Sequence, residues 1–155
     1  MNQRLFVLYG RQNSGKTCTI KKACELFSAQ ENASVLSCER VDEDVVCIVE
    51  INGTKVGFSS GGDTLKQVRD GLNKLKECGI IVCATRGRGP SMHYIYKYID
   101  KTDQFYWIRQ PVLDAYYEGK HTGAAAKVDV GRYRKKHNRV VIDLILDILA
   151  KEVGA

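Results

Sequence analysis

The chain has 155 residues, of which 44% are hydrophobic and 27% charged, and its formal net charge is +6. That length is enough for one well-buried domain and too short for two of ordinary size, so we expect a single domain over residues 1–155. No apolar stretch approaches the length that spans a bilayer. The first residues lead straight into a core-like strand, so we expect no cleavable signal peptide. We therefore expect a soluble, cytoplasmic protein.

Six cysteines are spread along the chain without a C-x-x-C pair or a neighbouring histidine at zinc-ligand spacing. Several lie inside apolar runs, as Cys47 does in Val46–Val49 and Cys83 does in Ile81–Ala84. This pattern is typical of small buried side chains in a reducing compartment. It disfavours both a metal site and a disulfide framework.

A phosphate-binding motif follows the first apolar run, Leu5–Tyr9, which predicts a buried strand. Residues Gly10–Thr17 have the sequence GRQNSGKT and fit the pattern G-x-x-x-x-G-K-[ST], and apolar spacing predicts a helix from Thr17 to Phe27. In this setting successive N–H groups and the helix N-terminus would form a cup for phosphate oxygens. The candidate nucleotide-binding residues are Gly10, Asn13, Ser14, Gly15, Lys16, Thr17 and Cys18.

Two side chains of this motif have expected chemical roles. Lys16 would reach the β- and γ-phosphates as a catalytic residue, and the hydroxyl of Thr17 would bind Mg²⁺. The alternative is a glycine-rich turn before an ordinary helix, in which a lysine would meet the positive end of the helix dipole unfavourably. The motif resembles the loop of the P-loop NTPase superfamily. The resemblance implies binding of a nucleoside triphosphate with Mg²⁺.

A β-hairpin is predicted next, after a short strand at Val35–Cys38 and an acidic turn at Glu39–Asp44. Two β-prone runs, Val45–Ile51 and Thr54–Ser60, flank Asn52-Gly53, which is the strongest short signal of a two-residue hairpin turn. We expect the second strand of this hairpin to run beside the strand that precedes the phosphate-binding motif.

The hairpin ends in Gly61-Gly62-Asp63, two small residues and a carboxylate. Beside a phosphate-binding loop, such a carboxylate orients a metal-bound water or the nucleophile, so Asp63 is a candidate both for catalysis and for Mg²⁺ binding. The alternative is that Asp63 only caps the following helix, a role for which Thr64 competes.

Helices and strands alternate through the rest of the chain. Apolar spacing predicts helices at Thr64–Glu77, Ser91–Lys101 and Arg132–Glu152, and strands at Ile80–Ala84 and Gln104–Arg109. Residues 112–130 give mixed signals and are expected to form a mobile loop. The alternation favours an α/β fold with a three-layer, P-loop NTPase-like arrangement, in which a mainly parallel sheet contains one antiparallel hairpin and carries helices on both faces.

Two arginines lie among glycines in the turn Thr85–Ser91, directly after a predicted central strand. Open α/β sheets bind ligands at the carboxyl ends of their strands. Arg86 and Arg88 are therefore catalytic candidates that would stabilise a transition state or form part of a lid over a triphosphate. The alternative is a solvated turn.

The excess positive charge is concentrated in residues 120–139. This segment holds seven Lys or Arg residues and one acid, Asp129, which leaves 17 of the 24 basic and 17 of the 18 acidic residues elsewhere. Such a cluster suits a nucleic acid, an anionic substrate or an acidic protein, although a solvated surface would have the same composition.

Together these features predict Mg²⁺-dependent triphosphate binding, followed by hydrolysis or by phosphoryl transfer as in a small kinase. The order of elements also resembles Ras-type GTPases, which would make residues 59–64 part of a nucleotide-controlled switch. The guanine-reading pattern N-K-x-D does not follow a predicted strand, so ATP is expected ahead of GTP. A nucleic-acid-associated ATPase that uses residues 120–139 is the third interpretation.

Overall fold

The structure is a computed structural model that describes residues 3–12, 14–100, 102, 104–110, 115–118, 125–128 and 131–154, with only the backbone described at 115–118 and 125–128. In chain order the elements are β1 (Arg4–Tyr9), α1 (Lys16–Ser28), β2 (Ala33–Val41), β3 (Asp44–Ile51), β4 (Thr54–Ser59), α2 (Leu65–Lys74), β5 (Ile80–Thr85), α3 (Pro90–Ile99), β6 (Gln104–Arg109), β7 (Ala115–Glu118), β8 (Ala125–Val128) and α4 (Gly131–Glu152).

A six-stranded sheet forms the centre of the molecule, with the strand order β2-β3-β4-β5-β1-β6. β3 is antiparallel to both of its neighbours, and the pairings of β4 with β5, β5 with β1 and β1 with β6 are parallel. The predicted mainly parallel α/β sheet is confirmed, and so is the hairpin at Asn52-Gly53. The second antiparallel pairing, between β2 and β3, was not predicted.

The sheet divides the core into two layers. Successive side chains of a strand point to opposite faces, so Phe6 and Leu8 of β1 pack with α1 and α4, whereas Leu5 and Val7 pack with α2 and α3. All six residues of β5 are buried, as expected for a strand that helices cover on both faces. The predicted arrangement of helices on both faces is therefore confirmed.

The predicted position of β4 beside β1 is wrong, because β5 lies between them. β5 is apolar from Ile80 to Ala84 and buried throughout, which suits the centre of a sheet covered on both sides. β4 begins with Thr54 and the exposed Lys55. Its carboxyl end is consequently one strand further from the phosphate-binding motif than the sequence suggested.

The turn between β2 and β3 is shorter than predicted. β2 continues through Glu39 to Val41, and only residues 42 and 43 form the turn. Asp42 has a φ of 56°, in the left-handed region that Asp tolerates better than most residues. The tight turn sets a register in which Val41 pairs with Asp44.

The same register pairs Cys38 with Cys47, whose Cα atoms are 4.0 Å apart and whose sulfur atoms form a disulfide. The expectation that the chain lacks a disulfide is therefore wrong. Side chains directly opposite each other in an antiparallel pair lie close enough to bond, and only the register reveals which residues are opposite. The buried thiols are those of Cys24, Cys78 and Cys83, whereas Cys18 is exposed.

The four helices of the described residues lie where apolar spacing predicts them. α2 begins after Thr64, α3 begins with Pro90 at its first position, and α4 extends from Gly131 to Glu152. Proline suits a helix start because its missing N–H has no helical partner there. Among the described residues, no helix combines the length and apolar character needed to cross a membrane.

The segment that was expected to be a mobile loop contains two short strands. β7 and β8 pair in an antiparallel two-stranded sheet, with Ala115 opposite Val128 and Glu118 opposite Ala125. The expectation of a loop is therefore wrong for these residues. The remainder of 112–130 lies outside the described residues.

We predict that a thiol reagent rapidly labels one cysteine of the native protein, Cys18, at about pH 8. Burial raises the pKa of Cys24, that of Cys78 to about 11 and that of Cys83 to about 12, so these side chains stay protonated thiols. Mass spectrometry should find one label in the native protein, four after unfolding without reductant and six after reduction. Six labels without reductant would contradict the disulfide.

Candidate functional site

The phosphate-binding motif lies between β1 and α1 at the carboxyl edge of the sheet. Hydrogen bonds to the neighbouring strands position its start: the Gly10 N–H donates to the Thr85 carbonyl (3.3 Å), and the Gln110 N–H donates to the Tyr9 carbonyl (2.8 Å). Gly15 has a φ of 98°, which glycine adopts without steric cost, and the chain turns into α1 at this residue.

The N-terminus of α1 offers donors and positive charge that the described residues do not neutralise with a cap. Its N-cap, Gly15, has no side chain to accept a hydrogen bond, and the first turn contains no acidic residue. The Ser14 hydroxyl is buried and has no hydrogen-bond partner among the described residues, and Asn13 lies outside them. Because the first N–H groups of a helix carry partial positive charge, this end of α1 favours an anion.

Lys16 places a buried cation at the same point. Its side chain is 5% exposed, and Nζ donates to the carbonyl oxygens of Gly10 (3.0 Å) and Arg11 (2.7 Å). Nζ also lies 3.6 Å from a carboxylate oxygen of Asp63. Burial, with a smaller contribution from the charge of Arg86, lowers the pKa of Lys16 even though Asp63 acts to raise it. The carboxylate of Asp63 therefore does not fully compensate the burial of the ammonium.

The Thr17 hydroxyl faces a carboxylate that the sequence alone does not single out. Thr17 Oγ1 lies 3.2 Å from Asp44 Oδ1 and 3.4 Å from the Ser60 carbonyl oxygen. Asp44 also accepts hydrogen bonds from Ser60 Oγ (3.0 Å) and Gln67 Nε2 (3.4 Å). The sequence placed Asp44 in an acidic turn, and only the register of β2 with β3 puts it at the start of β3.

Asp63 does not cap α2. The hydroxyl of Thr64 accepts a hydrogen bond from the Gln67 N–H (3.2 Å). In return, Gln67 Oε1 accepts from the N–H groups of Asp63 (3.0 Å) and Thr64 (3.2 Å), which completes a capping box. Thr64, and not Asp63, is therefore the residue that caps α2. The Asp63 carboxylate is left to approach Lys16.

A pocket of about 880 Å³ brings the acidic groups and the start of α1 together. Its lining includes Asp44, Asp63 and residues 15–18, and the side chain of Cys18 is exposed there. The carboxylate beside the Thr17 hydroxyl is that of Asp44, whereas Asp63 is paired with the ammonium. Hydroxyl, carbonyl and carboxylate oxygens are the ligands that Mg²⁺ prefers, so this group of residues fits that ion.

The chain after β4 reaches the phosphate-binding motif by crossing the end of β5. A Cβ atom built on Gly62 would lie 2.5 Å from the carbonyl carbon of Ala84, which is closer than a side-chain atom can approach. Glycine is therefore required where residues 60–63 pass Ala84. This close approach is what brings Asp63 to Lys16 although β5 separates β4 from β1.

Arg86 and Arg88 lie at the carboxyl end of β5, as the sequence predicted. Both line a cavity of about 1100 Å³ together with the start of the phosphate-binding motif, Gly10–Gln12. The end of β6 contributes Arg109 and Gln110 to the same cavity. Sequence reasoning did not select Arg109, although its place at the end of a predicted strand was a usable signal.

The basic helix α4 contacts the loop through Asn138. Asn138 Oδ1 accepts a hydrogen bond from Gln110 Nε2 (2.6 Å), and Gln110 Oε1 accepts one from the buried Thr19 hydroxyl of α1 (3.2 Å). A Cβ atom on Gly15 would lie 2.8 Å from Asn138 Oδ1. The start of α1, the end of β6 and α4 are thus joined by one hydrogen-bonded chain.

No protein-family model, curated protein or solved structure matches this chain. An uncapped helix N-terminus and a buried ammonium favour an anion, and a hydroxyl beside a carboxylate favours a small, hard cation.

We predict that, without nucleotide, the wild-type protein gains stability relative to Lys16→Met as the pH rises towards 10.5, the ordinary pKa of lysine. The pKa of Lys16 is lowered in the folded protein, so the folded state releases its proton at a lower pH than the unfolded chain does. Unfolding then takes up a proton between the two values, and stability rises with pH in that window. At lower pH the difference between the two proteins should be constant.

Denaturant titrations of both proteins across this pH range measure the difference. Asp63→Asn is a useful companion because Asp63 raises the pKa of Lys16, and its removal should widen the window. A difference between wild type and Lys16→Met that does not change with pH would contradict the lowered pKa.

Proposed function

We propose that this chain binds a nucleoside triphosphate with Mg²⁺ in the loop of residues 10–17, and hydrolyses it or transfers its terminal phosphoryl group, with ATP as the expected nucleotide. One observation carries the proposal. The Lys16 ammonium is buried at a helix N-terminus that the described residues leave uncapped, near the Ser14 hydroxyl, which has no hydrogen-bond partner among those residues. A buried cation at the positive end of a helix is unfavourable by itself. A polyphosphate would supply the missing negative charge.

The fold supports this proposal. The loop joins the second strand from one edge of a mostly parallel sheet to a helix, at the carboxyl ends of the strands, where open α/β sheets bind ligands. Gly10 and Gly15 lie at the two bends of the loop, where a Cβ atom would meet Ser14 Oγ at 2.9 Å and Asn138 Oδ1 at 2.8 Å, respectively. We therefore also propose that the fold is P-loop NTPase-like.

Different residues around the loop would bind the phosphates and the metal ion. Lys16 would move its ammonium from the loop carbonyls to the β- and γ-phosphate oxygens. The Thr17 hydroxyl, with Asp44 directly or through water, would hold Mg²⁺. When bound, Mg²⁺ supplies positive charge that neutralises the β- and γ-phosphates. Asp63 remains a candidate to hold a metal-bound water.

Two further groups would act on the reacting phosphate. Asp63, whose side chain is 37% exposed beside Lys16, would accept a hydrogen bond from the attacking water or hydroxyl and orient it. Arg86 is half-buried and close enough to Lys16 to affect its pKa, so its guanidinium would stabilise charge that develops on the phosphoryl oxygens. Arg88, exposed in the same turn, is the second candidate for that role.

We predict that Lys16→Ala lowers the affinity for a non-hydrolysable ATP analogue with Mg²⁺ by about 100-fold, because charge-assisted hydrogen bonds to the phosphates are lost. Isothermal titration calorimetry measures the affinity, and circular dichroism checks that the variant is folded. Lys22→Ala is the matched control, since Lys22 lies in the same helix and pairs with Glu25 at an exposed position. Unchanged affinity in Lys16→Ala would remove the proposal.

We predict that Asp44→Asn raises the Mg²⁺ concentration needed for tight binding of the analogue. Asparagine keeps an oxygen that Thr17 and Ser60 can bond, and it loses the charge and the second oxygen, which accepts from Gln67 Nε2. Calorimetry at several Mg²⁺ concentrations measures the effect, and binding without metal should be unchanged. Asp42→Asn, in the turn of the same pocket, is the control. An equal response of the two variants would exclude Asp44 as the group beside the metal.

A nucleotide-controlled interaction module is the second candidate, and the contacts of Ser60 favour it. Ser60 exchanges two hydrogen bonds with Val45, and its carbonyl oxygen lies 3.4 Å from the Thr17 hydroxyl. A change at Thr17 would therefore reach the ends of β3 and β4. Slow hydrolysis, with residues 59–64 protected from hydrogen exchange only by triphosphate, would favour this candidate over an efficient enzyme.

A nucleic-acid-associated ATPase is the third candidate. Within the basic segment 120–139, the structure describes α4 from residue 131 and the backbone of 125–128. Asn138, in this part of α4, contacts the loop at Gly15. This candidate would be favoured if DNA, RNA or an acidic protein binds, and if that binding weakens with salt and depends on nucleotide.

A further inference from the structure

The cavity lined by the two arginines after β5 is not explained by triphosphate binding alone. We call it the arginine cavity; its lining is Tyr9, Gly10–Gln12, Arg86–Arg88 and Arg109–Gln110. It shares no lining residue with the pocket beside Thr17. Its volume of about 1100 Å³ is slightly above the range of about 300–1,000 Å³ that is typical of small-molecule sites.

The arginine cavity is strongly cationic. Arginines reach it from three directions: Arg11 from the loop, Arg86 and Arg88 from the end of β5, and Arg109 from the end of β6. None of the described carboxylates lines the cavity, and Arg86, Arg88 and Arg109 form no ion pair with the described residues. Like charges gathered around one concavity favour an anion of more than one charge. The guanidinium fork matches phosphate in particular.

Tyr9 adds an aromatic wall to the arginine cavity. The Tyr9 ring packs edge-to-face against Trp107, with centroids 5.6 Å apart, and Trp107 packs in turn against Tyr96 and Phe105. These contacts hold Tyr9 in place in the lining of the cavity. A fixed ring beside guanidinium groups suits an organic molecule with a charged head and a flat or apolar body.

We propose that the arginine cavity binds a second small molecule with a terminal phosphate group, separate from the triphosphate at the loop. Arg88 and Arg109 bind the phosphate, and Tyr9 contacts the body of the molecule. Arg86 also borders the space beside Asp63, so the two ligands lie next to each other. The arginines converge on one concavity rather than following a line, which favours a small molecule over a nucleic-acid strand.

This inference depends on the proposed function only in assigning the triphosphate to the loop. The experiment therefore fills the loop first, by saturating the protein with Mg²⁺ and a non-hydrolysable ATP analogue. AMP is then titrated by calorimetry as the phosphate-bearing probe, and adenosine is titrated as the probe without phosphate. AMP is expected to bind the loaded protein, and adenosine is not.

Arg109→Ala is the decisive variant, since Arg109 is exposed at the end of β6 and belongs to the cavity but not to the loop. It is expected to weaken AMP binding about 10-fold or more, as for the loss of a charge-assisted hydrogen bond, with the analogue bound as tightly as before. Arg109→Lys keeps the charge without the fork and should be intermediate. Arg69→Ala, an exposed arginine of α2 outside the cavity, should change neither affinity.

Several results would overturn the inference. One is the absence of AMP binding to the loaded protein, and another is equal AMP binding by wild type and Arg109→Ala. Weaker analogue binding by Arg109→Ala would mean that the triphosphate itself fills the cavity. An oligonucleotide that binds through Arg109 while AMP does not would make the cavity a nucleic-acid contact.

Failure of the proposed function gives a different result. If the analogue does not bind, AMP is titrated into the unloaded protein and into unloaded Arg109→Ala. Weaker binding by the variant would still support the arginine cavity, whereas equal binding or none would overturn it.

Discussion

The buried ammonium of Lys16 is the interaction on which the site depends. It bonds two carbonyl oxygens of the loop that precedes it and approaches the carboxylate of Asp63, so it ties the start of the loop to the chain after β4. That chain reaches it only because Gly62 passes against the backbone of Ala84. The lowered pKa of Lys16 indicates that these partners do not fully offset the unfavourable burial of the ammonium. An added anion would offset the remainder.

The two sides of the loop differ in charge: on one side carboxylates stand together with three basic residues, and on the other arginines stand without a carboxylate among the described residues. Asp44 and Asp63 line the pocket beside the start of α1, whereas Arg86, Arg88 and Arg109 line the arginine cavity beside the end of β1. A hard cation suits the first side and a phosphate group suits the second. In our proposals, a metal-bound polyphosphate and a second anion bind next to each other at the carboxyl edge of the sheet, near Lys16 and Arg86.

A buried polar chain links this edge to α4. Gln110 is 2% exposed and bonds both Thr19 of α1 and Asn138 of α4. Leaving the buried side chain of Thr19 or Gln110 without a partner would cost about 1–3 kcal/mol, so these hydrogen bonds fix α4 against the loop. Because Gly15 contacts Asn138, a ligand that moves the start of α1 would also shift α4.

The sequence by itself determined the features that depend on residues close together in the chain. Helical spacing located the helices, and Asn52-Gly53 gave a turn whose φ values, 49° and 75°, are both left-handed. Tertiary structure alone decided that Asp44 faces Thr17, that Cys38 bonds Cys47, that β5 separates β4 from β1 and that Arg109 joins the arginine cavity. Periodicity states which face of an element is buried but not which strand lies next to it. A shift of one residue in register would send each side chain to the other face.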